Sequence, residues 1–114
     1  MTTRIVSAAL DGLTARQRAY AANLANIETP GYQAQDVHFE AELRRWQAAG
    51  ASAASTPDPE LVVLEGGARA DGNTVEIDRQ MALLAENALT YQALTEAQRM
   101  RGQMLRDAIL EGKR

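Results

Sequence analysis

The chain contains no cysteine, which excludes a disulfide framework and a thiol nucleophile. Its single histidine, His38, stands beside Asp36, Glu40 and Glu42, ordinary helix-surface carboxylates from which no metal set can be built. Glu40 and Glu42 are two residues apart, do not share a helix face and make a poor acid/base pair. Ser7, Ser52 and Ser55 have no histidine partner in a nucleophile motif, and no glycine-rich phosphate loop is present. The expectation is no catalytic, cofactor-binding or metal-binding residue, and no enzyme. Aromatic residues make up only 4% of the chain, so the 46% hydrophobic content rests largely on alanine and aliphatic side chains. Alanine favours helix but buries little area, which predicts long helices meeting along narrow seams rather than around a thick core. No apolar run approaches the roughly 18 residues needed to span a bilayer. A net charge of −3 with scattered arginines gives no footprint for nucleic acid or an anionic membrane. The N-terminus lacks the continuous apolar stretch of a Sec-type signal peptide.

What is present is helical periodicity. Residues 3–27 carry Val6, Leu10, Leu13, Tyr20, Leu24 and Ile27 in a four-three pattern, with Gln17 as a polar break. Arg16 and Arg18 flank this stripe and are expected to face solvent or a neighbouring subunit. Gly12 costs the helix about 1 kcal/mol relative to alanine, a cost that close approach of another helix would offset. Pro30 forces the helix to stop near Asn26, and Pro30-Gly31 suits the centre of a type II turn. Residues 28–46 then read as a turn and a short helix, with Asp36 as N-cap and Phe39, Leu43 and Trp46 at helical spacing.

Residues 47–72 lose this pattern and read as a variable linker, disordered in the free chain, with a possible short strand at Leu61-Val62-Val63-Leu64. Gly66-Gly67 and Asp71-Gly72 are turn signals. Residues 73–111 form a second long helix, opened by a capping-box-like Asn73 and Glu76. Its stripe runs through Ile77, Met81, Leu84, Ala88, Tyr91 and Leu94, then less regularly to Leu105. Met81, Met100 and Met104 suit irregular interhelical gaps. The predicted fold is all-α: one domain over residues 1–114, a coiled-coil-like hairpin of unequal helices with a short second helix and an irregular middle. Unequal helices cannot bury each other completely, so part of the C-terminal stripe calls for other subunits.

The run Ala22-Asn23-Leu24-Ala25-Asn26-Ile27-Glu28-Thr29-Pro30-Gly31-Tyr32 resembles the signature shared by flagellar rod and hook proteins. Residues 33–39 and 71–81, continued by residues 87–94, resemble the proximal-rod branch of that family. The resemblance implies a structural subunit of a hollow, torque-transmitting shaft. It implies export by the flagellar type III apparatus without a cleaved signal, and assembly in the periplasm with further copies and with FliE, FlgC and FlgF. The alternatives are a sister rod protein such as FlgC, or a helical adaptor or chaperone of the cytosol. Asn23, Asn26, Thr29, Pro30, Gly31, Tyr32 and Phe39 are the motif residues. The amides of Asn23 and Asn26 are expected to bond carbonyls left open at the helix end, and Tyr32 to pack back on the helix. Together they would set the angle between the inner helix and the next segment.

Overall fold

The computed structural model describes residues 3–50, 60–63 and 73–112. Helix α1 spans Thr3–Ala25, strand β1 Gln35–His38, helix α2 Glu40–Ala48, strand β2 Glu60–Val63 and helix α3 Asn73–Gly112. The protein is thus mainly helical, with one small antiparallel ribbon in which Gln35 faces Val63 and His38 faces Glu60. Of the segment 47–70 expected to be disordered, residues 47–48 instead end α2 and residues 60–63 form β2; its remaining stretches 51–59 and 64–70, the glycine turn signals and the side chains of the Asn73–Glu76 cap lie outside the described residues.

Along α1 the apolar positions divide between two contacts. Ile5 and Ala8 pack with Trp46 and Leu43 of α2. Leu13 and Ala19 pack with Val37 of β1 and with Phe39, joined by Leu94 of α3. Of the predicted stripe, Val6, Leu13 and Tyr20 are buried, while Leu10, Leu24 and Ile27 are half-buried. Ile27 lies past the end of α1, in the turn.

The second helix begins later than the sequence pattern predicts. Asp36 is not its N-cap but a strand residue, and Phe39 holds the N-cap position with no side-chain cap. Tertiary contacts override the local signal here. Val37 is almost fully buried against α1, and Asp36 spends its carboxylate on the Val37 amide and the Tyr20 hydroxyl.

Arg16 also departs from expectation. It turns inward and donates from Nε and Nη2 to the Val37 carbonyl, at 3.1 and 2.6 Å. The same guanidinium pairs with Glu40 at 2.6 Å and lies 4.7 Å from the centre of the Phe39 ring. Burial alone would raise the Glu40 pKa. The hydrogen bond from Arg16, backbone N–H groups and the Arg16 charge outweigh burial and hold it below the usual carboxylate value.

Helix α3 has 40 residues against 23 in α1, or about 60 Å against about 35 Å of rise. Asn23 faces Gln80, and Leu13 and Gln17 face Asn87, so the two run antiparallel. Extrapolated along both axes, that register brings the start of α1 level with residue ~100 of α3. The rest projects beyond it, and every residue from Arg99 to Gly112 is exposed. The radius of gyration is 18.4 Å, where a compact chain of this length would give about 13 Å. Among the described residues no helix is long and apolar enough to cross a membrane.

Candidate assembly surface

Two features stand out as candidates: the corner that ends α1 and the projecting half of α3. At the corner, backbone bonds from Asn26 N–H to the Ala22 carbonyl and from Thr29 N–H to the Asn26 carbonyl close the helix. Tyr32 N–H then donates to the Thr29 carbonyl at 3.2 Å, enclosing Pro30 and Gly31. Gly31 has φ +77°, the left-handed value a type II turn demands at its third residue. Asn26 Nδ2 donates to the Ala22 carbonyl at 2.8 Å, and its Oδ1 accepts from the Thr29 hydroxyl at 3.2 Å. Asn26 thus bonds a helix-end carbonyl as expected, but one that its own backbone N–H already occupies rather than one left open.

Asn23 does something else. Its Nδ2 donates to the Gln35 carbonyl at 2.7 Å, and its Oδ1 accepts the Gln35 N–H at 2.8 Å. The side-chain amide thus reads the backbone of β1 as a neighbouring strand would. The same amide donates to Gln80 Oε1 at 3.3 Å and accepts from the Tyr32 hydroxyl at 3.4 Å. Asn23 is 4% exposed and joins α1, the turn, β1 and α3 at one point. Tyr32 does pack back on α1, with its hydroxyl turned toward this hub.

One turn earlier on α1, Tyr20 donates its hydroxyl to Asp36 Oδ1 at 3.1 Å. Burial, reinforced by the Asp36 charge and hydrogen bond, pushes the phenol pKa up to about 12. Phe39 lies farther back along α1 than the corner, buried against Gly12 and over Arg16.

The helix–helix seam holds two polar residues that lie beside the predicted stripe. Gln80 and Asn87 are 3% and 5% exposed. Asn87 Nδ2 donates to the Leu13 carbonyl at 2.9 Å and to Gln17 Oε1 at 2.8 Å. Their seven-residue spacing, in phase with Leu94, is the sequence signal that could have revealed them. Of the predicted α3 stripe, Ile77, Leu84, Ala88 and Leu94 are half-buried. Met81 and Leu105 are 55 and 57% exposed, whereas Tyr91, 40% exposed, lines a small cavity with Leu13, Thr14 and Gln17 of α1.

On the projecting half, Met100, Met104, Leu105, Ile109 and Leu110 are each more than half exposed. Leu105 and Ile109 lie four residues apart and prolong the face that carries Leu94 and Gln98 against α1. Three arginines, Arg99, Arg101 and Arg106, alternate there with Glu96, Asp107 and Glu111, and Arg99 pairs with Glu96 one turn away. Apolar side chains set among mixed charges are what a subunit interface offers before it is covered.

Comparison with known proteins bears on the first of these features, the corner. A family model described as "Flagella basal body rod protein" matches residues 6–33, the stretch from the packed face of α1 through the turn to Tyr32. The chain is 35% identical to the flagellar basal body rod protein FlgB of Salmonella typhimurium, over 78% of each chain. The same protein of Escherichia coli gives the same figures. FlgB of Bacillus subtilis is 30% identical over 92% of this chain and 90% of its own. Similarity of this extent shows that the chain belongs to the flagellar basal body rod protein family, as a structural subunit of FlgB type and not an enzyme.

Proposed function

We propose that the chain builds the proximal part of the rod, and that the projecting half of α3 is the surface through which it meets its neighbours. The observation that carries this reading is the row of exposed apolar side chains from Met100 to Leu110 on a helix that outruns its partner. Full burial of one such side chain stabilises by about 1.5–3 kcal/mol, so several together suffice to hold subunits in contact after the cost of ordering them. The neighbours are further copies of the chain and the rod components FliE, FlgC and FlgF. The motif residues Asn23, Asn26, Thr29, Pro30, Gly31, Tyr32 and Phe39 set the direction in which the chain leaves the inner helix. Delivery runs through the flagellar type III export apparatus without a cleaved signal, to a shaft that lies in the periplasm and transmits torque.

The test is complementation of a deletion strain. Leu105→Glu with Ile109→Glu places charge on side chains that solvent already surrounds, so subunit stability should change by less than about 1 kcal/mol. Swimming should nevertheless be lost, with basal bodies that lack a rod by electron microscopy. Normal swimming with intact rods would count against the surface.

A further inference from the structure

The apolar residues of both long helices recur at intervals of seven. Val6, Leu13 and Tyr20 do so along α1; Ile77, Leu84, Tyr91 and Leu105 do so along α3, with Gln98 at the one polar step. A strict heptad repeat matches apolar to apolar in more than one alignment, and polar groups at single seam positions are what select among them. The contacts Asn23–Gln80 and Gln17–Asn87 set Val6 level with Gln98. Sliding α3 by one heptad, about 10 Å, would bring Leu105 level with Val6 and Tyr91 level with Tyr20. Apolar burial does not disfavour that alignment, because it would replace Gln98 by Leu105 beside α1.

The amides do disfavour it. In the slipped alignment Asn87 would stand level with Leu24 and Gln17 level with Leu94, each amide against a leucine. Desolvated amides without partners are strongly unfavourable. Asn87 Oδ1 is already buried without a hydrogen bond in the observed register, as expected of a group retained for selectivity rather than for stability.

We propose that Gln80 and Asn87 are register-determining residues, whose amide contacts with Asn23 and Gln17 hold α3 where Leu105 and Ile109 remain uncovered. That the uncovered residues then serve assembly rests on the docking surface proposed above; the register itself does not.

The chain has no cysteine, so disulfide trapping reads the register directly. Thr14 and Ala88 line one small cavity between the helices, and Thr95 lies seven residues beyond Ala88. In otherwise unaltered full-length protein, the pair Thr14→Cys/Ala88→Cys should oxidise readily and Thr14→Cys/Thr95→Cys should not. Adding Gln80→Leu and Asn87→Leu should shift the ratio of the two crosslinks at least ~10-fold toward the second. Asn87→Leu alone should shift it in the same direction and serves if the double replacement does not fold. Asn87→Gln, which keeps the amide, should hold the parent ratio. An unchanged ratio in the leucine variants would overturn the proposal, as would equal slippage in Asn87→Leu and Asn87→Gln. Loss of swimming in a variant of unchanged register would bear on the docking surface alone.

Discussion

Replacing Asn23 by alanine is expected to lower the stability of the free subunit by about 3–5 kcal/mol, the sum of several broken bonds at about 1–3 kcal/mol each where a buried partner is left unpaired. Four hydrogen bonds, to the Gln35 N–H and carbonyl, to Gln80 and from the Tyr32 hydroxyl, are lost together. The Gln35 N–H and carbonyl face α1 on the strand edge that β2 does not cover, and Asn23 is what answers them there. Gln80, 3% exposed in the seam, loses one of its contacts. The loss is readable by urea unfolding, because Trp46 is the single tryptophan and is buried against Ile5 and Ala8. The midpoint should fall while the slope stays constant, since the folded and unfolded states expose the same surface as before. A loss below about 1 kcal/mol, the ordinary effect of a point change, would mean that Asn23 does not join the segments as its contacts indicate.

Gly12→Ala should destabilise, although alanine is the better helix former by about 1 kcal/mol. A Cβ at this position would press against the Phe39 ring, 2.6 Å from both Cδ atoms, far closer than van der Waals contact allows. The ring has little freedom to retreat, because it is packed with Leu13 and Val37 beneath the Arg16 guanidinium. Overpacking of this kind costs about 1–3 kcal/mol and sometimes more, so the net loss should be about 1 kcal/mol after the gain in propensity. The cause is separable by a double-mutant cycle. Phe39→Ala destabilises by itself, but in that background Gly12→Ala should become neutral or favourable, which makes the pair strongly non-additive. Equal effects of Gly12→Ala in both backgrounds would place the problem elsewhere than the ring.

Both residues illustrate where the sequence was readable. The long helices were legible because each carries an apolar repeat sustained over three or more turns, and the unequal lengths pointed directly to a face without an intrachain partner. The turn was legible because Pro30 and Gly31 each restrict φ in ways that few turns accept. Gly12 was recognisable as a close approach, but its neighbour is an aromatic ring from the segment after the turn, not another helix. Strand β1 was hidden because four residues with one inward side chain, Val37, give too short an alternation to compete with the helical spacing of Phe39, Leu43 and Trp46. Asn23 was misread because its partners are backbone groups twelve residues onward, and main-chain atoms leave no mark on residue type. Gln17 was visible only as an interruption of a stripe, and Gln80 and Asn87 lie beside the predicted one, although the contacts of all three across the seam make them part of it.

The most direct test of the subunit's place in the rod is thiol protection at the projecting face. Leu105→Cys introduces the only thiol in the chain, at a position 57% exposed in the free subunit. A maleimide reagent should label it fully in purified protein and should fail to label it in intact basal bodies isolated from swimming cells. Protection there would show the face covered by neighbouring subunits, whereas labelling of assembled rods as fast as of free protein would contradict the assignment of this face to assembly.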